Sequence, residues 1–183
     1  FYIDGHSNYQ IILGILNTDD YEAVIAISPS EDTYFYALRG EGAFKGNLKM
    51  DLSECTPLKV DSNAKPNILL GTAMNSLKPA LQDKYNIINA VDDYSSSVQR
   101  PNLNAILSGG LTGAVKRFGQ FIDGGALAFL AREAGCKVTQ MDGSALPTLS
   151  SCSDYKLPGL IIGTSESIHQ DILNAVRNYG SSD

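Results

Sequence analysis

Cysteine is scarce in this sequence and its basic residues never cluster, and both shortages narrow what it can do. The three cysteines, Cys55, Cys136 and Cys152, form an odd set without metal-ligand spacing, which argues against a disulfide framework and against a zinc site. A reducing compartment, the cytoplasm, is therefore expected. The 14 Lys and Arg contain no run able to track a nucleic-acid backbone, and against 20 Asp and Glu they leave a net charge of −6. Nucleic acid is not an expected partner. No apolar stretch approaches the ~18 residues that cross a bilayer, and no basic segment followed by an apolar one opens the chain. No membrane partner is expected. An acidic protein that handles an anionic substrate needs positive charge at its site, and bound divalent cations are one way to supply it.

What is present is enough apolar material for a core. A chain of 183 residues, 43% of them hydrophobic, buries roughly 70% of its unfolded surface, so one domain over residues 1–183 is the expectation. The first residue is Phe1 rather than Met, inside a stretch that already reads as structured, and the chain is expected to be the C-terminal part of a longer protein. Phe1 to Ile3 reads as a strand running into the turn-forming Asp4-Gly5-His6-Ser7-Asn8. Gln10 to Leu16, Ala23 to Ile27 and Tyr34 to Leu38 are strands separated by short polar turns, and Arg39 to Phe44 is a glycine-punctuated turn. Leu58 to Val60 and Ile68 to Gly71 are further short strands.

The second half mixes in helices. A short helix is expected near Pro79, Asp92 to Arg100 is loop-like, and Asn102 to Leu107 has helical propensity. Leu127, Leu130, Ala131 and Ala134 recur at helical spacing behind Asp123, a suitable N-cap, and Gly135 ends that helix. Lys137 to Thr139 reads as a strand, Asp142-Gly143 as a turn and Gly159 to Gly163 as a buried strand. A last helix has Ser167 and Gln170 in capping-box spacing and an apolar stripe of Ile168, Ile172, Leu173 and Val176; His169 on it is expected at the surface. Strands come as a meander before the helices, so the fold class is α+β, a layered α/β sandwich with mostly antiparallel and mixed sheets.

Two carboxylates stand out. Asp4 lies at a strand end and Asp123 at a helix start, each followed by glycine, which lets backbone approach a ligand closely. Hard oxygen ligands of this kind suit Mg2+. Each also has an ordinary reading, a turn residue for Asp4 and an N-cap for Asp123.

Taken in order, several segments resemble one family, the inositol monophosphatases with their fructose bisphosphatase relatives. Phe1-Tyr2-Ile3-Asp4-Gly5-His6 resembles the hallmark D-P-x-D-G-T/S, with Ser7-Asn8 similar to the continuation in fructose bisphosphatases. Ala37-Leu38-Arg39-Gly40-Glu41-Gly42-Ala43-Phe44 is similar to A-x-x-G-x-G-A-F. Ile122-Asp123-Gly124-Gly125-Ala126, continuing to Glu133-Ala134-Gly135, resembles W-D-x-A-A-G followed by E-A-G-G. The resemblance implies the layered sandwich and an Mg2+-dependent phosphatase of small phosphate monoesters, inositol or sugar phosphates. It implies Asp4, the carbonyl of Ile3 and Asp123 as metal ligands, Asp4 and His6 as catalytic residues, and Gly5, His6 and Ser7 as the phosphate cradle. Members are commonly dimers, so the resemblance allows a homodimer while these residues leave it open.

Departures from the pattern are equally specific. Phe1 and Tyr2 stand where the family has its first metal-binding Asp and a Pro; alternatively Phe1 to Asp4 is the strand with that first Asp, and either alignment keeps Asp4 a ligand. His6 replaces the Thr or Ser that orients the attacking water, and it either accepts that proton or faces solvent. Lys116 stands near the family's acidic contact to substrate hydroxyls, and the N-terminal helices with a Glu-Glu ligand pair have no counterpart.

Overall fold

The computed structural model describes residues 9–61, 66–89 and 103–179. Five strands, β1 (Ile11–Leu16), β2 (Tyr21–Ser28), β3 (Thr33–Leu38), β4 (Gly42–Asn47) and β5 (Thr56–Leu58), form an antiparallel meander in chain order. Their alternation explains one face. Val24 and Ala26 of β2 and Phe35 and Ala37 of β3 point the same way and are buried, as strand periodicity requires.

The second sheet is mixed. It runs β7-β6-β8-β10-β9, from β6 (Asn67–Leu70), β7 (Asn86–Asn89), β8 (Gly113–Gln120), β9 (Lys137–Gln140) and β10 (Lys156–Gly163). β6 pairs in parallel with β7 and β8, while β10 pairs antiparallel with β8 and β9. A single helical turn, α1 (Lys78–Leu81), and two helices, α2 (Ala126–Glu133) and α3 (Glu166–Tyr179), complete the regular elements.

Helix α2 fills the space between the two sheets. Ala126 through Ala131 are all buried, in one cluster with Val24, Phe35 and Ala37 of the first sheet and Leu160 and Ile162 of the second. A helix that is apolar all round must be enclosed, and each Leu or Phe enclosed here contributes roughly 1.5–3 kcal/mol. On the far side of the second sheet, Ile68, Leu70, Val115 and Ile161 pack with Ile168, Ile172 and Val176 of α3. Sheet, helix, sheet and helix are thus stacked, the α+β layered sandwich that the meander implies.

Several boundaries differ from the sequence reading, each for a local reason. Gly42 to Phe44 continue into the strand β4, because the turn needs only Arg39 to Glu41, closed by the Glu41 N–H donating to Leu38 O at 3.0 Å. β5 lies at Thr56–Leu58, two residues earlier than expected. β7 and β8 have no strong signature in sequence, since Asn86-Ile87-Ile88-Asn89 is short and β8 ends on the polar run Lys116 to Gln120. Helix α3 is capped by Ser165, whose Oγ accepts the Ile168 N–H at 3.3 Å, and not by Ser167 with Gln170; Gln170 instead donates to Asn174 Oδ1 at 2.9 Å. The expected loop at Asp92–Arg100 lies outside the described residues.

His169 is the clearest reversal. It is 2% exposed, on the face of α3 that meets β9, with Nε2 2.8 Å from Thr139 Oγ1. The Thr139 hydroxyl donates to Gln140 O at 2.8 Å, so it accepts from His169 Nε2–H, and Nδ1 is a buried acceptor with no partner among the described residues. Burial pushes the imidazole pKa down from its usual value, because the charged form loses hydration. The unfolded chain then binds the extra proton between the folded pKa and about 6.5. Stability is therefore expected to be full above about pH 6.5 and to fall as pH drops below it. Denaturant titrations across this range should show that slope in the wild type and a shallower one in His169→Gln.

Candidate active site

Asp123 sits in a π-helical turn, Phe121–Gly125, that joins β8 to α2. The turn displaces the expected cap. Gly125, not Asp123, holds the N-cap place of α2, and the Asp123 carbonyl accepts the Ala126 N–H. A wide turn of this kind inserts a residue into the helical ladder and is frequent at functional sites. Ile122 and Asp123 are exposed while Phe121, Gly124 and Gly125 are buried, so the turn anchors on one side and presents its carboxylate on the other. The two glycines do not open toward a ligand: a Cβ on Gly124 would lie 3.4 Å from Leu157, and one on Gly125 3.4 Å from the Phe121 ring. At these distances a Cβ would make ordinary van der Waals contact, so packing alone does not demand glycine at either place.

Tyr21 fixes the turn to the first sheet. Its hydroxyl donates to Phe121 O at 2.8 Å, and its ring stacks on Phe121 with centroids 5.3 Å apart and planes 9° from parallel. Burial, and then the negative charges of Asp20 and Asp123, push the phenol up to about 12, so it remains a donor at any physiological pH. Beside it Arg39 gathers Asp20 (Nη1 to Oδ2, 3.2 Å), Glu22 (Nε to Oε1, 3.1 Å) and the carbonyl of Tyr21. Arg132 of α2 reaches the same Asp20 oxygen at 3.4 Å, and both guanidinium groups lie over the Phe129 ring. These pairs are partly exposed, so each contributes at most about 1 kcal/mol; their effect is to fix the β1–β2 turn against α2.

The glycine motif has a structural task. Gly40 and Gly42 have φ of +75° and +87°, the left-handed region where only glycine is at ease. Held so, the Gly40 N–H donates to Glu133 Oε2 at 3.1 Å, and the Val60 N–H donates to Ala134 O at 3.3 Å. The segments Arg39 to Phe44 and Glu133 to Gly135, read separately in sequence, meet at the C-terminal end of α2.

Of the residues expected to carry chemistry, Asp4, His6, Gly5, Ser7 and Ile3 lie outside the described residues. Among the described residues no three His, Cys, Asp or Glu converge as a metal cluster. Asp123 fits one position of a hard-cation site, as an exposed carboxylate with no described hydrogen-bond or ion-pair partner. Lys116 is half-buried on β8, paired with Leu160, its stem over Gly71. Arg117 follows it and lies over the Phe118 ring at 5.8 Å. Tyr21 and Arg117 were missed in sequence because a Tyr after two Asp, and a lone Arg at a strand end, have no periodic signature; Lys116 was picked out by the resemblance alone.

With fold and turn in place, the relationship is plain: the chain belongs to the inositol monophosphatase family, whose model matches residues 2–181. It is similar to the solved structure of the Thermotoga maritima IMPase, at 16% identity and a TM-score of 0.69 over 94% of this chain and 62% of that one. The extragenic suppressor protein suhB from Bartonella henselae gives 19%, 0.71, 96% and 67% for the same quantities, and an inositol monophosphatase from Anabaena (Nostoc) gives 18%, 0.70, 97% and 70%. The chain thus spans about two thirds of the length of these relatives. No curated protein matches it.

Removing the clasp tests its role. Tyr21→Phe leaves the Phe121 carbonyl without its donor and is expected to lower unfolding free energy by about 1 kcal/mol, read from denaturant midpoints, with the stacked ring retained.

Proposed function

We propose that this chain carries part of the catalytic site of an Mg2+-dependent phosphatase that hydrolyses a small phosphate monoester, an inositol or sugar phosphate, in the cytoplasm. The observation that carries the reading is Asp123: an exposed carboxylate, set on a π turn pinned at both sides, in a chain of the inositol monophosphatase family. Asp123 would hold the cation together with Asp4 and the carbonyl of Ile3. When bound, Mg2+ supplies charge neutralisation at the phosphate and a lowered pKa for the attacking water.

The protein's own residues do the rest. The Tyr21–Phe121 contact keeps the Asp123 turn from shifting when charge gathers beside it, the preorganisation on which electrostatic stabilisation depends. Backbone N–H groups of Gly5 and His6, with the Ser7 hydroxyl, would bind phosphate oxygens without a basic side chain. His6, as a neutral imidazole, would take the proton of the water.

A second reading rests on Phe1 and Tyr2, which stand in place of an Asp-Pro pair, and on His6 in place of a Thr or Ser. In it the chain is a catalytically impaired member that binds a phosphorylated metabolite or a partner. Phosphate release from inositol 1-phosphate, fructose 1,6-bisphosphate and 3′-phosphoadenosine 5′-phosphate, with and without Mg2+, separates the two. Release that needs Mg2+ and drops by at least about a hundredfold in Asp123→Asn is the expected outcome, because loss of a ligand costs no less than loss of a residue that only supports one. No release from a folded chain on any of the three selects the second reading.

A further inference from the structure

Strands β4 and β5 diverge at one end of the first sheet. Their last paired residues are Ala43 and Leu58; beyond them the chain turns to α2, where the Val60 N–H donates to Ala134 O at 3.3 Å. The wedge so opened, closed behind by the C-terminal end of α2, is a cavity of about 540 Å³. That is the size of a small-molecule site. It lies at the opposite end of α2 from Asp123. Leu58, Val60 and Ala134 give it apolar walls, and Glu41, Glu133 and Lys59 bring two carboxylates and an ammonium to the same space. None of these three charges forms an ion pair among the described residues. Glu133 uses Oε2 to accept the Gly40 N–H and leaves Oε1 without a described partner. Thr164 also lines the cavity and is 5% exposed, with Oγ1 buried and without a hydrogen-bond partner among the described residues. Buried hydroxyls are normally paired, so this one points to a group from outside the chain.

We infer that this cavity binds a free α-amino acid with an apolar side chain. The charges select the class. A simple anion would meet two carboxylates and the negative end of a helix, and a simple amine would leave Lys59 unanswered beside it. A dipolar ligand satisfies both signs: its ammonium pairs with Glu41 and Glu133 at the α2 terminus, its carboxylate pairs with Lys59, and its side chain covers the apolar walls. Thr164 Oγ1, donor and acceptor at once, serves either group. Hydrogen bonds between charged partners are the strong kind, and here they fix the orientation of the ligand. The site makes no use of Asp123, so it stands or falls apart from the phosphatase reading.

Isothermal titration calorimetry on the whole chain tests it with L-leucine, with isoamylamine, which lacks the carboxylate, and with 4-methylpentanoate, which lacks the ammonium. Saturable binding of L-leucine is expected with a Kd of about 1 mM, typical of so small a ligand. Each analogue is expected to bind at least about tenfold more weakly, the cost of one lost charged contact. Lys59→Met is expected to weaken L-leucine about tenfold and leave isoamylamine unchanged, and Glu41→Gln to weaken L-leucine about tenfold and leave 4-methylpentanoate no weaker. Both side chains are exposed, so the unfolding midpoint without ligand is expected to stay at its wild-type value. Absence of L-leucine binding up to about 20 mM, well above that Kd, overturns the inference. So does an analogue that binds as tightly as L-leucine, which would make the cavity a site for one charge only, or L-leucine binding that neither variant weakens, which would place it elsewhere.

Discussion

The first six residues of helix α2 cannot touch water on any side, and most of the structure follows from that. Ala126 to Ala131 are buried all round, so a sheet must lie on each flank. The three alanines among these six residues let both sheets come close. The ends of the helix inherit the consequences. At its C-terminus the left-handed backbone of Gly40 is held by Glu133, so the glycine motif of the first sheet serves as a latch on the helix. At its N-terminus the chain must leave a dry interior within one turn. The π turn does so by burying Phe121 and both glycines while placing Asp123 outside.

The candidate site is therefore a boundary between two packing regimes. Tyr21 comes from the first sheet, Phe121 from the π turn that follows β8 of the second, and the hydrogen bond and stacked rings between them tie both sheets to the residue proposed to hold metal. Such placement on rigid elements keeps a ligating carboxylate where it is needed. The pairs around Asp20, Arg39 and Arg132 extend the same tie to the surface, where their contribution is orientation more than energy.

Much of this was legible in the sequence, and what was not has physical reasons. The meander was readable because β1 to β3 are long and apolar with polar turns between them, and α2 because its apolar residues recur at helical spacing. Asp123 was found by its motif, but its place inside a π turn was not, since nothing in Ile122-Asp123-Gly124-Gly125 distinguishes that turn from an N-cap. β7 was too short to read, and β8 has an apolar half and a polar half, so neither period applied. His169 was misplaced because a lone histidine on an amphipathic helix resembles a solvated one; only its Thr139 partner, thirty positions away, shows that it is inside. The residues Ile3 to Ser7 rest on their motif alone.

Strand β10, like β6 and β8 of the second sheet, belongs to both interiors. Along β10, Leu160 and Ile162 enter the cluster around α2, while Ile161 between them enters the cluster under α3. Neither cluster can be dismantled without baring half of this strand. The two layers are therefore expected to come apart as one cooperative unit, with amides of β10 exchanging with solvent only through global opening.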